Sequence, residues 1–427
     1  MINEYLENNF NISKKVIEYV KTSENELEEL FLNEDKIRDY NIMKVISAMK
    51  KAKLSSIHFN GSTGYGYGDI GRDKIEEIYK YLFKTEDALV RPNIVSGTHA
   101  IFLGLSAILK HGDNFISIAG PLYDTMQKAI GINGNESNTL ISRGVKYKEI
   151  GLINNDFDIP AILKALDNKP KLLMIQRSTG YSERNAICIK QIEKVIKEIR
   201  KKDKNVIIFV DNCYGEFTEE KEPSEVGADI VVGSLIKNLG AGIALTGGYL
   251  VGKKELINTA ADFLTAPGLG KELGISFNTA RTTLQGLYYA PSAVCEAKKT
   301  ARLFARVYEK LGYKVFPKYN EIRSDIVESI VLGSEKAIVS FCKAIQSASC
   351  VDSFVSPEPW DMPGYENKVV MASGSFIDGS SIELSADGPI REPYIVYFQG
   401  GLTLSQGRLA VMKSVQNLIN YGIIKLQ

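Results

Sequence analysis

An apolar run in VIIFVDNCYG ends on a carboxylate at Asp211, and 26 residues further on a lysine, Lys237, stands in ADIVVGSLIKNLGAGIALTGGYLVG. A lysine held in a loop beside a serine, here Ser234, can form a Schiff base with an aldehyde when positive charge or burial lowers its pKa. Two features separate Lys237 from a solvated surface lysine: apolar runs flank it, and the small residues Gly240, Ala241 and Gly242 follow it. An aspartate at the end of a buried strand can keep the pyridine nitrogen of a cofactor protonated by direct charge pairing, although a turn or a helix cap is its other ordinary use. Ser96, Gly97, Thr98 and His99 lie between an apolar run and an apolar helical segment. Free N–H groups at such a helix start can receive a phosphate, or the serine can simply cap.

The elements that must position these residues follow from periodicity. Helical spacing over the first 50 residues predicts an N-terminal helical segment, and a Gly- and Tyr-rich stretch, Asn60 to Gly71, opens into a helix from Arg72 to about Phe83. From Ala88 onward short apolar runs alternate with helices. Lys171 to Gln176, Val206 to Val210, Ile230 to Val232 and Gly248 to Val251 suit strands buried on both faces. The pattern predicts an α/β domain with a mostly parallel sheet over 51–290, followed by a smaller α+β domain over 291–427.

Composition narrows the function. The 52 basic residues stand against 51 acidic ones, a formal charge of +1, so no field draws the chain to nucleic acid or a membrane, and a small-molecule partner is expected. Met1 to Lys15 lacks an apolar leader and no run reaches membrane-spanning length, which reads as cytoplasmic. Five scattered cysteines and three histidines, His58, His99 and His111, offer no CxxC pair, no metal site and no Ser-His-Asp arrangement. Gly66, Gly68 and Gly71 formally make the GxGxxG of dinucleotide-binding proteins, but LSSIHFNGSTGY before them is not a convincing buried strand. A nicotinamide-dependent oxidoreductase therefore ranks below a pyridoxal enzyme.

The order of these motifs, with GYGYGDIGRDKIEEIY, ALVRPNIVSGTHAIF, DNCYGEF, GSLIKNLGAGIALTGGYLVG and SADGPIREPYIVYFQGGLT, resembles fold-type-I pyridoxal-phosphate enzymes (the aspartate-aminotransferase fold). Within them it is similar to the cystathionine and methionine γ-lyase-like group of aluminium-resistance proteins, over roughly Phe59 to Gly407. The resemblance implies pyridoxal 5'-phosphate as cofactor, Lys237 as the Schiff-base lysine and Asp211 as partner of the ring nitrogen. It makes Ser96, Gly97, Thr98 and Ser234 the phosphate cradle, and Tyr123 the tyrosine that covers the ring and exchanges protons. Tyr65 or Tyr67, with Arg72, would reach a neighbour's phosphate in a homodimer or homotetramer with shared sites. Arg391 would grip the substrate carboxylate through two parallel hydrogen bonds. Two departures stand out: Ile236 replaces the hydroxyl residue that usually precedes the lysine, and QRSTGYSERN differs from the usual loop, so that Arg177, Tyr181 and Arg184 would line a different pocket.

The expected reaction is elimination of a thiol from a sulfur-containing amino acid, with ammonia and an oxo acid as the other products. Aminotransfer shares every early step and remains a rival, as does a non-catalytic protein that keeps the fold.

Overall fold

The computed structural model describes residues 1–134, 136–362 and 365–426. Along the chain it forms helices α1 (Ile2–Phe10), α2 (Lys14–Asn25), α3 (Glu28–Lys51) and α4 (Ile70–Leu82), strand β1 (Asp87–Arg91), helix α5 (Gly97–Ile108), strand β2 (Asn114–Ser117), helix α6 (Asp124–Ile130) and strand β3 (Lys146–Glu149). A hairpin, β4 (Leu152–Ile153) with β5 (Asp156–Phe157), leads to α7 (Ile159–Ala165), β6 (Leu172–Gln176), α8 (Ile189–Lys202), β7 (Ile207–Asp211), β8 (Ile230–Ser234), β9 (Gly248–Gly252), α9 (Lys254–Leu264) and α10 (Ala280–Lys310). The remainder is β10 (Lys314–Phe316), β11 (Val327–Val331), α11 (Glu335–Ala348), β12 (Val369–Ser373), β13 (Leu384–Pro389), β14 (Ile395–Gly400) and α12 (Leu404–Asn420).

Two units result. One comprises Tyr40–Ser182 and Ala186–Ala290; the other comprises Met1–Asp39, Glu183–Asn185 and Pro291–Gln427. The first 39 residues do not stand as a segment of their own, because Ile12, Val16, Ile17, Val20 and Leu27 enter the same apolar core as Phe304, Phe341 and Phe398. The division at Pro291 falls inside α10, which continues through the proline although that residue removes one helical donor.

In the larger unit seven strands lie in the order β1-β9-β8-β7-β6-β2-β3. All neighbours are parallel except β9, which runs against both β8 and β1. The strands are apolar throughout because both faces are covered. Leu89, Met174, Phe209, Val232 and Leu250 pack on one face with Ile101 and Leu105 of α5, Met126 of α6 and Ile257 of α9. Full burial of such side chains contributes roughly 1.5–3 kcal/mol each. The amphipathic α8 places Ile189, Ile192, Val195, Ile196 and Ile199 on its buried side.

This topology has one consequence for chemistry. β2, β6, β7 and β8 all end at the same edge of the sheet, and the order reverses between β2 and β6, the kind of crevice where ligands settle in open α/β sheets. Side chains alternate faces along a strand, so Gln176, Asp211 and Ser234 continue the face occupied by Met174, Phe209 and Val232, which is the face that α5 covers.

The smaller unit carries an antiparallel sheet in the order β10-β11-β14-β13-β12. Its apolar face, with Ile330, Val396, Phe398, Leu384, Ala386 and Val370, packs on residues of α11 and α12. No helix among the described residues is long and apolar enough to cross a membrane.

Candidate active site

The last residue of β7, Asp211, lies beside Gln176 of β6 and Val232 of β8 in the sheet register. Its Oδ1 accepts the amide of Cys213 at 3.0 Å, which turns the chain sharply off the strand. The carboxyl group is buried, and burial pushes its pKa up, opposed by the Lys237 ammonium and the Cys213 amide.

Lys237 occupies the turn after β8. Ser234 starts that turn: its Oγ accepts the amide of Ile236 at 3.2 Å, while the Leu235 amide reaches the Gly247 carbonyl at 2.9 Å. The lysine Nζ hangs 3.9 Å from the ring centroid of Tyr214. Burial alone would lower the pKa of this amine, but the groups around it, Cys213, Tyr214, Tyr123 and Asp211, outweigh burial and hold it above the ordinary lysine value.

Gly97 joins these residues to α5. A Cβ built there would lie 2.9 Å from Cys213 Sγ, 3.4 Å from Ser234 Cβ and 4.0 Å from Lys237 Nζ. The missing side chain thus lets the helix N-terminus approach Cys213, Ser234 and Lys237 closely. Ser96 caps α5 by accepting the His99 amide at 3.0 Å, and the hydroxyl hydrogen of Ser96 stays available. The first amides of a helix have no acceptor within it, so those of Gly97 and Thr98 suit an anion. Tyr123 completes the group: its hydroxyl is 2.9 Å from Thr98 Oγ1 and its amide donates to Gln176 Oε1 at 2.9 Å. Burial first, and then the charge of Asp211, push its phenol up, so it stays protonated at neutral pH.

Ser96, Gly97, Thr98, Tyr123, Asp211, Ser234 and Lys237 are therefore brought together at one sheet edge. Three neighbours escaped the sequence reading: Gln176 behind Tyr123, Cys213 against Gly97, and Tyr214 under the lysine. Cys213 and Tyr214 stand two and three residues after the strand-end Asp211 in DNCYG, a position that could have drawn notice. Tyr214 adopts φ 70°, a left-handed conformation that a bulky residue takes at some cost and that aims its ring at Lys237.

Other expectations change. Arg177, expected to line a pocket, is fully buried and braces the backbone instead. It donates to the Ile187 carbonyl (3.1 Å), Asn212 Oδ1 (2.8 Å), the Gly215 carbonyl (2.7 Å), Thr218 Oγ1 (3.2 Å) and Glu219 Oε1 (2.6 Å). Arg184 belongs to the smaller unit, where burial pushes its guanidinium down to about 10 against the opposing charge of Asp325. Arg72, expected to reach towards a neighbouring copy, is also buried. Its Nη1 donates to the carbonyls of Gly66 (2.9 Å), Glu272 (3.1 Å) and Gly274 (2.9 Å), so it braces the Gly66 turn from within its own chain. Tyr65 and Tyr67 project from that turn, 74% and 67% exposed, with ring centroids 5.8 Å apart. The GxGxxG stretch lacks the strand that a dinucleotide site requires, since the first strand among the described residues is β1, after α4. Arg391 lies in the β13–β14 turn of the smaller unit and has no ion-pair partner among the described residues.

A seven-stranded sheet with one antiparallel member, a strand-end aspartate and a lysine in the turn after the next strand together define the fold-type-I architecture. A pyridoxal-5'-phosphate-dependent protein of Escherichia coli, YhfS, shares it at 17% identity, with a TM-score of 0.62 over 90% of this chain and 97% of its own. More closely, the chain belongs to the methionine gamma-lyase family, whose model matches residues 16–419. It is similar to a candidate cystathionine beta-lyase involved in aluminum resistance from Clostridium acetobutylicum, at 47% identity and TM-score 0.95, covering 98% of this chain and 99% of that one. A carbon-sulfur lyase involved in aluminum resistance from Clostridium novyi is 44% identical, with TM-score 0.93 over 97% and 98% of the two chains.

Proposed function

We propose that this chain is a pyridoxal-phosphate-dependent carbon–sulfur lyase acting on a sulfur-containing amino acid. The observation that carries the reading is the convergence at Gly97 of Lys237 Nζ, Ser234 and the N-terminus of α5, the glycine's Cβ position lying 4.0 Å from the lysine and 3.4 Å from the serine, with Asp211 at the same sheet edge. These residues fit the cofactor: an amine to hold its aldehyde, a carboxylate for its ring nitrogen, and hydroxyl and amide donors for its phosphate. When bound, the cofactor supplies a sink for the electrons released at the substrate Cα.

The chain's own residues do the rest. Lys237 would hold the cofactor's aldehyde, and its Nζ, once freed by the substrate amine, would take the α-proton. Asp211 would face the ring nitrogen with its carboxyl group. Ser96, Ser234 and the amides of Gly97 and Thr98 would hold the phosphate. Tyr123, protonated and tied to Thr98, would cover the ring and pass a proton to the departing sulfur. Arg391 holds the substrate carboxylate. The exposed Tyr65 and Tyr67 supply the contact by which a second copy completes the site in a homodimer or homotetramer, with Arg72 bracing their turn.

Purified protein tests the reading. A yellow absorbance bleached by borohydride, with the label recovered on Lys237, is expected. Thiol and ammonia release from one of cysteine, cystathionine, homocysteine or methionine is expected with it. Oxo acid release that needs an amino acceptor and yields no ammonia would replace lyase chemistry with aminotransfer.

A further inference from the structure

Behind the Lys237 turn lies an acid that the reaction above does not use. Glu216 is fully buried against Gly233 of β8 and Tyr249 of β9. Its Oε1 accepts the Tyr249 hydroxyl at 2.8 Å, and its Oε2 has no partner among the described residues. Gly233, one residue before Ser234, makes room for this pair: a Cβ there would lie 2.6 Å from Glu216 Oε1 and 2.7 Å from the Tyr249 hydroxyl. The same residue touches the lysine turn through its backbone, for Asn238 Nδ2 donates to the Glu216 carbonyl at 3.0 Å.

We propose that Glu216 is a positioning residue for Lys237: its backbone carbonyl braces the lysine turn through Asn238, and its dry carboxyl group behind that turn sets the charge that the lysine faces. The inference rests on the reading of Lys237 given above. A dry carboxylate with one oxygen unpaired is costly, so the neutral form is favoured. Burial pushes the group up to about 8, and Glu222 adds to the shift, whereas its own backbone amide, the Tyr249 hydrogen bond and the Lys237 ammonium oppose it. The other titratable groups facing it are Tyr79 of α4, Tyr249 of β9 and Cys213, and burial holds all three protonated well beyond neutral pH. Ionisation of Glu216 therefore changes the charge facing Lys237.

The experiment is a pH titration of the cofactor absorbance between about pH 6 and 10 in the loaded full-length protein and in Glu216→Gln. Glutamine mimics the neutral acid, so the two spectra should coincide at pH 6.5 and part above pH 8. The variant should lose its protonated band at a pH lower by about half a unit or more, because no carboxylate forms to retain the proton. Tyr249→Phe gives an independent reading: loss of the hydrogen bond that favours the carboxylate should delay its ionisation, so the protonated band should be lost at a lower pH than in the parent, by less than in Glu216→Gln. Superimposable titrations of parent and both variants would overturn the proposal, as would a Glu216→Gln spectrum already altered at pH 6.5. If no borohydride-sensitive band ever forms, the reading of the site fails, and the proposal is decided on the cofactor-free chain. There, Lys237 should react with an amine reagent several-fold faster in Glu216→Gln than in the parent at pH 9, and equal rates would refute it.

Discussion

The Nζ of Lys237 stands 3.9 Å from the centroid of the Tyr214 ring, so the aromatic face receives the ammonium, both residues being half-buried. In such surroundings a cation–π contact contributes roughly 1–2 kcal/mol. Tyr214→Phe keeps the ring face and should leave the lysine's titration close to that of the parent. Tyr214→Leu should raise the labelling rate of Lys237 by an amine reagent at neutral pH about tenfold in the cofactor-free protein, the factor that corresponds to about 1.4 kcal/mol. Mass spectrometry of the labelled peptide reads it, and a Leu variant labelled no faster than the Phe variant would argue against the contact.

Gly97→Ala should weaken cofactor binding by about tenfold or more, because the new methyl group meets Cys213 Sγ at 2.9 Å and comes within 4.0 Å of Lys237 Nζ. Cys213→Ala removes the first clash, so the double variant should recover part of the loss. Equilibrium titration with pyridoxal phosphate, set out as a double-mutant cycle, measures the coupling; strictly additive effects would mean that the sulfur is not what the methyl group strikes.

Asp211→Asn should retain the fold, since an amide oxygen can still accept the Cys213 N–H, yet lower turnover by about 10²-fold or more through loss of the charge. Lys237→Ala should abolish the borohydride-fixed label altogether. Steady-state assays beside a thermal melt separate the two effects, and an Asn variant of undiminished kcat would remove Asp211 from the chemistry.

Arg177→Met should cost stability and leave substrate preference alone. The guanidinium holds two backbone carbonyls together with Asn212, Thr218 and Glu219, and Glu222 lies 4.0 Å away, so truncation strands buried acids and acceptors. A loss of about 3–5 kcal/mol is expected in urea unfolding. A variant of near-parental stability with a changed substrate profile would return Arg177 to the pocket.

Glu216 ties stability to pH in a direction fixed by its raised pKa. Its folded value of about 8 exceeds the ordinary 4.5, so the folded state keeps a proton that the unfolded chain loses. That contribution is complete below 4.5 and drains away as pH rises to about 8. Glu216→Gln lacks the effect, so its stability relative to the parent should rise by at most about 1.4 kcal/mol per pH unit across that window and level off above it. Chemical denaturation at pH 5, 6.5 and 8 would show the trend, and parallel profiles would contradict a neutral buried acid.

Much of the architecture is legible in one dimension because strands covered on both faces need unbroken apolar runs. A polar residue at the end of such a run stands out: Asp211 after IIFV and Ser234 after IVVG mark the sheet edge before any coordinates are known. A helix start after β1 is equally visible at Ser96, and the family follows from the order of these motifs. What a linear reading cannot supply is the environment of each charge. Arg177 and Arg72 read in sequence as site residues and Glu216 carries no signal there, yet the fold buries all three, and only their neighbours decide whether each pairs, braces or stays neutral. The N-terminal helices join the C-terminal core for the same reason, since their apolar face is periodic in sequence but its partner lies some 270 residues away. Burial belongs to packed surroundings, and pKa, hydrogen bonding and reach follow from burial.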